Sequence, residues 1–383
     1  MNFYLQNDCK PWRQSYENSL AQGPRLPWIL AYTTPCPGLV RRTFRFTVMR
    51  PSFNALHVKV LICHGLKLGE HIDLTMQFQN CKFSVQVKII YISKNKNKIT
   101  LKIVRCTGGF KAAMGQLLFE TLQYSPKNLY KFGFPVRSIS EGVHFKVLNS
   151  EREYLEVLSL RKQSYCEGSV DSLDKNMFDQ YDADAIIVIA MHHKKIVGSL
   201  RILQSSTNFS NLEHQRFISL HDFFSVDEQV LEITRVCTAH DYRHGDLLAR
   251  LFQFTARIAI SLNCTTILGS ATPSLLPLYK KLGFIAMPHT YSHPLLDKKQ
   301  HRLIFAKKND LLIGKRVHPF FWSKVYKDVY SYAKTVGLLN KQSAITRMRI
   351  LYFAAASTLG LILHNVQNFL YRRRFRLKNR KNY

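Results

Sequence analysis

Two short segments carry paired charged residues at a spacing that regular strands do not favour. Phe178-Asp179-Gln180-Tyr181-Asp182 holds two carboxylates three apart, and Glu232-Ile233-Thr234-Arg235-Val236 holds a carboxylate and an arginine three apart. Carboxylates accept protons and hydrogen bonds, and a guanidinium holds carboxylates through several N–H groups. Each segment adjoins an apolar, strand-like run, Ala185 to Ala190 in the first case and Val236 to Cys237 in the second. Successive residues of a strand alternate faces, so residues three apart cannot share one on a fully extended strand. The spacing therefore predicts a strand end, bulge or loop at each pair, where the charges converge.

The elements around these pairs occur in a telling order. Leu160-Arg161-Lys162-Gln163-Ser164-Tyr165 precedes the acidic segment, and Gly198-Ser199-Leu200-Arg201-Ile202-Leu203 lies between it and Glu232. Leu278-Tyr279-Lys280-Lys281-Leu282-Gly283-Phe284 follows. Together these stretches, within residues 151–306, resemble the GNAT acyltransferase superfamily, in particular its acyl-homoserine-lactone synthases and N-acyl amino acid synthases. The resemblance implies an α/β fold and transfer of a fatty acyl chain from a thioester to the amine of an amino-acid-like acceptor.

It also assigns roles. Glu232 becomes the base, acting through water because a carboxylate is a weak base beside an ammonium. Arg235, Arg161, Asp179, Asp182 and Arg201 form a charged network that holds the acceptor. Backbone N–H groups near Val236 to Thr238 polarise the thioester carbonyl, and Tyr279 supplies the proton to the leaving thiolate. No bound cofactor or metal is expected.

The donor loop departs from the superfamily pattern. Such loops cradle a pyrophosphate with backbone amides at a helix N-terminus. The corresponding stretch here is Tyr242-Arg243-His244-Gly245-Asp246-Leu247, in which only Gly245 fits and Asp246 adds a negative charge. Arg243 and His244 remain to face a phosphate. A donor carried on acyl carrier protein, with one phosphate, suits this loop better than acyl-coenzyme A, although coenzyme A stays an alternative. Lactone formation is the competing activity, and the stretch after Cys166 lacks the tryptophan usual in that branch. A non-catalytic sensor is the competitor from another class.

The chain has 383 residues and 46% hydrophobic content, enough for two domains with cores. Its eight cysteines form no C-x-x-C pair, which fits a reduced, cytoplasmic chain. The net charge of +30 is unevenly spread. Residues 1–150 carry 21 Lys/Arg against 6 Asp/Glu, residues 151–300 carry 16 against 17, and residues 301–383 carry 18 against 2. Any anionic surface is therefore met by the flanks.

Residues 1–35 read as an irregular arm rich in proline and aromatics. From Arg41 to about Val104, short β-rich runs separated by polar turns predict a small barrel over 36–140, closed by a helix near Gln116 to Leu122. This barrel resembles a PilZ domain, with Arg41 and Arg45 as the arginines that would clamp cyclic di-GMP. Val60 and Ile62 stand where that family's second motif has polar residues, so nucleotide binding is not expected.

The acyltransferase domain is expected over 145–310, followed by helices and a basic tail over 311–383. Phe320 to Tyr330 repeats apolar residues at three and four, as an amphipathic helix with Trp322 and Tyr326 on an aromatic face. Ile350 to Leu363 is apolar but shorter than a bilayer span, and Arg372 to Lys381 follows. These features predict a peripheral location on the inner face of a membrane. Nucleic acid binding is not expected, since no recognition motif accompanies the basic tail.

Overall fold

The protein is described by a computed structural model. It covers Leu30–Thr33 and residues 46–355, apart from 53–54, 61–65, 79–80, 94, 96–97, 132, 166–176, 207, 244, 293–299 and 340–341. The chain divides into two compact units, Met1–Gly142 and Val143–Tyr383.

The first unit contains strands β1 (Leu30–Thr33), β2 (Phe46–Ser52), β3 (Ala55–Val60), β4 (His71–Phe78), β5 (Cys81–Ile92) and β6 (Lys98–Cys106). They form one antiparallel sheet in the order β1-β4-β5-β6-β3-β2. Alternate residues point into its core: Ile72, Leu74 and Met76 on β4, and Val85, Val87 and Ile89 on β5, are all buried. Helix α1 (Phe110–Thr121) packs on this core, its Phe110 ring 5.7 Å from Phe83 at an edge-to-face angle, and a short helix α2 (Pro126–Lys131) follows it.

One expectation needs correction here. Leu30–Thr33 is an edge strand on β4 where an irregular arm is expected, because pairing with a neighbour overrides weak local patterning in a four-residue strand. No ladder joins β1 to β2, the two ends of this strand order, among the described residues.

The second unit is built on strands β7 (Val143–Val147), β8 (Ile186–His192), β9 (Lys195–Gln204), β10 (Val230–Thr238), β11 (Thr266–Ala271), β12 (Ile285–Ser292) and β13 (Gln300–Lys307). Their order is β12-β13-β11-β10-β9-β8-β7. Every pairing is antiparallel except β10 with β11. Parallel neighbours need a long crossover, and α4 (Leu247–Ser261) lies within it. Helix α3 (Glu151–Tyr165) packs on β9 and β10, and α4 on β8, β9 and β10. Strand β9 is buried at every residue from Ile196 to Leu203, as a strand covered on both faces should be.

The β10–β11 ladder is short. It runs from Val230 with Thr266 to Glu232 with Leu268 and stops, although both strands continue. Beyond it β10 bulges against β9 between Thr234 and Cys237, and Arg235 takes the left-handed conformation with φ of 53°. The strands part there.

A short helix α5 (Leu276–Lys281) follows β11 and ends at Gly283. Gly283 has φ of 95°, and a Cβ there would stand 2.7 Å from Val317 Cγ2 and 2.8 Å from Leu311 Cδ2. The turn also lets Phe284 N donate to Tyr279 O, which fixes the tyrosine. This is the physical content of the Tyr-to-Gly-Phe spacing.

The C-terminal helices belong to this same unit. After α6 (Lys308–Leu312), one helical run α7 spans residues 319–335, with a wider π turn at Trp322–Tyr326. Trp322 is 1% exposed and its Nε1 donates to Leu312 O at 2.9 Å, while the Tyr326 hydroxyl donates to Leu282 O at 3.0 Å. Val329 and Ala333 pack with Ile260 of α4 and Leu312. The aromatic face expected to meet a membrane is therefore occupied by the protein's own core. A last helix, α8, is described over residues 344–355. No helix among the described residues is long and apolar enough to cross a membrane. Most of Ile350 to Leu363, and all of Arg372 to Lys381, lie outside the described residues.

Candidate active site

Three of the four paired residues, Asp179, Asp182 and Arg235, do converge, by the means that strand parity requires. Asp179 caps a single helical turn at Gln180–Asp182, its Oδ1 accepting from Tyr181 N at 3.0 Å. The turn aims both carboxylates inward. On β10 the bulge does the same for Arg235. A left-handed non-glycine residue costs about 1–3 kcal/mol, offset here by the ion pairs that it makes.

The resulting network is buried. Arg161 on α3 donates Nη1 to Asp182 Oδ2 at 2.6 Å, and the Tyr154 hydroxyl donates to the same oxygen at 2.8 Å. Arg201 on β9 is fully buried and sits at the centre. Its Nη1 lies 3.1 Å from Asp179 Oδ2 and 3.2 Å from Asp182 Oδ1. Its Nη2 pairs with Glu213, and its Nε donates to Thr234 Oγ1 at 2.9 Å. Arg235 pairs with Asp179 and, at 2.8 Å, with Glu213 Oε1. Three guanidiniums thus face three carboxylates. Burial by itself would raise the Asp179 carboxyl, but the hydrogen bond from Arg235, the charge of Arg201 and the Tyr181 amide hold it below its ordinary value.

Glu232 stands apart from that cluster. It is fully buried, and both of its oxygens face one residue. Oε2 accepts from the His214 backbone N at 3.2 Å, and Oε1 lies 2.9 Å from His214 Nδ1. Glu213 and His214 occupy a turn, Glu213–Arg216, inside the long β9–β10 connection. The sequence reading missed both. A Glu-His pair in a loop that mixes polar and apolar residues is a weak signal, and it has no periodicity to mark it.

Where β10 and β11 part, a cavity of about 280 Å³ opens. Ile233 to Val236 of β10 and Leu268 to Ala271 of β11 form two of its walls. Glu213, His214, Tyr165, Tyr279, Tyr291 and His301 line the rest, together with apolar Phe252 and Phe284. Burial pushes the Tyr279 phenol up to about 12, so it keeps its proton at neutral pH and enters the cavity as a hydrogen-bond donor. Its ring lies 5.6 Å from Phe284 and 6.2 Å from Phe252. The lining brings hydrogen-bond donors, charged groups and apolar rings around one space.

The remaining expected residues fall as follows. Val236 lines the cavity, and Thr238 ends β10 opposite Gly198. Arg243 Nη2 donates to Ser164 Oγ at 3.3 Å, just ahead of the α4 N-terminus, where Gly245 and Asp246 precede Leu247. Asp179, Asp182, Arg161 and Arg201 do not line the cavity, whereas Arg235 does. His244, Arg41 and Arg45 lie outside the described residues. No group of three or more potential ligands for a metal ion occurs among the described residues.

Residues 156–304 match the family model described as N-acyl amino acid synthase FeeM. No curated protein matches the chain. Among solved structures, FeeM, an N-acyl amino acid synthase from uncultured soil microbes, is 13% identical with a TM-score of 0.39, over 44% of this chain and 92% of that one. The acyl-homoserine-lactone synthase LasI is 19% identical with a TM-score of 0.35, over 45% and 96%. A coenzyme-A-dependent acyl-homoserine-lactone synthase, BjaI, solved with SAM and isopentyl-CoA, is 14% identical with a TM-score of 0.35, over 55% and 98%. The family match lies in the second unit and supports an acyltransferase there.

Proposed function

We propose that the second unit joins a fatty acyl chain, carried as a thioester, to the amine of a small amino-acid-like acceptor, giving an N-acyl amino acid. The observation that carries this reading is the cavity between β10 and β11, which lies inside the segment matching N-acyl amino acid synthases. Main-chain N–H groups along Val236 to Thr238 polarise the thioester carbonyl, and the Tyr279 hydroxyl lies on the same cavity to assist the leaving sulfur. The buried network of Arg161, Asp179, Asp182, Arg201 and Arg235 fixes the wall that receives the acceptor. Mass spectrometry of lipid extracts from cells expressing the chain tests the reading, since a new acylated amine identifies donor and acceptor together. Extracts identical to those of an empty-vector control would reject it.

The donor is acyl carrier protein in preference to acyl-coenzyme A. Gly245 alone is left of the glycine pattern, Asp246 repels phosphate, and the basic flanks favour an acidic carrier. Side-by-side kinetics should give higher kcat/KM with the carrier, and the advantage should shrink as salt rises. Equal or better turnover with acyl-coenzyme A overturns the assignment.

The first unit serves as a PilZ-like docking module, a reading supported by its antiparallel strands and following helix. Micromolar binding of cyclic di-GMP to the whole chain would show otherwise. Membrane contact falls to α8, where Ile345, Met348, Leu351 and Tyr352 are exposed beside Arg347 and Arg349. Co-sedimentation of the whole chain with vesicles containing phosphatidylglycerol, and not with phosphatidylcholine alone, is expected. Equal recovery in the supernatant with both vesicle types rules this out.

A further inference from the structure

We infer that His214 is the group that takes the proton from the acceptor's amine, and that Glu232 is the positioning residue that holds it. This rests on the acyl-transfer reading above and names a component of its site. The side chain of His214 is 1% exposed, yet it lines the cavity. Its Nδ1 lies 2.9 Å from Glu232 Oε1, an ion-pair distance at an angle short of a hydrogen bond, and its Nε2 has no hydrogen-bond partner. A buried imidazole nitrogen without a partner is costly to maintain, and the residue that carries it lines the cavity. Glu232 is fully buried, does not line the cavity, and spends both oxygens on His214. A carboxylate so placed cannot meet a substrate, but it can fix an imidazole. With a carboxylate beside Nδ1, the proton of neutral His214 belongs on that nitrogen, which leaves the lone pair on Nε2.

The step balances without any further reagent. Nε2 takes one proton from the acceptor's ammonium, and the freed nitrogen lone pair adds to the thioester carbonyl carbon. The C–N bond forms, the tetrahedral oxyanion collapses, and the C–S bond breaks. A second proton leaves the nitrogen and ends on the departing sulfur, giving amide and thiol. The imidazolium then returns its proton to solvent.

The surroundings set the strength of this base. Burial opposes charge on His214, but Glu232 on β10 and the adjacent Glu213 outweigh both burial and the opposing charge of Arg201 on β9. The Tyr291 ring of β12 packs edge-on against the imidazole at 5.7 Å. The net result lifts His214 above its ordinary 6.5. A stronger base is better matched to an ammonium, and the rate should rise with pH until the imidazolium is lost.

The test uses the whole chain. The imidazole signal absent from His214→Gln is followed by NMR titration in the wild type and in Glu232→Gln. A midpoint above 6.5 that drops in Glu232→Gln is expected, and a midpoint at or below 6.5 in the wild type overturns the pairing. Should His214→Gln not fold, the signal that shifts in Glu232→Gln identifies the residue instead. In parallel, acyl transfer is measured against pH with acyl-loaded carrier protein and a panel of amino acids. His214→Gln should lower kcat about 10²- to 10⁴-fold and remove the acid limb, while Glu232→Gln should move that limb to lower pH. Added imidazole should partly restore His214→Gly. Wild-type activity with a His214→Gln rate within a few-fold and an unchanged limb rejects the inference alone. Absence of any N-acyl product from the wild type rejects the acyl-transfer reading, and the titration still decides the pairing.

Discussion

Arg201→Met is expected to cost the second unit about 3–5 kcal/mol and to leave much of the protein aggregated at 37 °C. Methionine fits the space but carries no charge. Asp179, Asp182 and Glu213 would then share Arg161 and Arg235, three buried carboxylates against two guanidiniums. The hydrogen bond from Arg201 to Thr234, next to the bulge, would go as well. Chemical denaturation of the full chain measures the loss, and a change under 1 kcal/mol would show that the network adds no stability. Acid should weaken the same network in the wild type. Because the Asp179 carboxyl is held below its ordinary 3.8, its contribution is complete above that value and is lost as pH falls through the folded one. Melting temperatures should accordingly fall steeply below about pH 4.

Trp322→Ala is expected to cost about 3–5 kcal/mol, and deletion of residues 311–383 to prevent folding of the second unit. The deletion removes Leu311, Leu312, Trp322, Val325, Tyr326, Val329 and Ala333, all buried, and uncovers Leu282 and Ile260. Phe320→Ala, at a half-exposed neighbour, is the control and should stay within about 1 kcal/mol. A soluble, cooperatively melting truncated chain would show instead that these helices are an appendage. This reverses the expectation drawn from the sequence, in which the same segment docks on a bilayer.

The reason for that reversal is general. A period of three and four shows that a helix has an apolar face, but not what covers it. Trp322 and Tyr326 look alike in sequence whether the partner is lipid or Leu312. The charged pairs were legible for the opposite reason. Strand parity forbids Glu232 and Arg235 from sharing a face, so the bulge at Arg235 was implied by the spacing itself. Glu213 and His214 escaped because their loop has no period, and only the folded chain brings them against β10. In the first unit the alternation of Ile72, Leu74 and Met76 announces β4, whereas Leu30–Thr33 has too few residues to announce anything.

The early end of the β10–β11 ladder also has a consequence for hydrogen exchange. Amides in the middle of a sheet ordinarily trade their protons for deuterium only when the whole domain opens. Past Glu232, those amides of β10 that point toward β11 border a cavity instead of a strand. They can be reached by solvent from inside, without any unfolding, while Val230 to Glu232 on the same strand stay locked. The innermost strand therefore carries its own occupancy sensor. Any molecule that fills the cavity should slow exchange over residues 233–236 and leave the rest of the strand unchanged, so candidate substrates can be sorted by mass before a single turnover is observed.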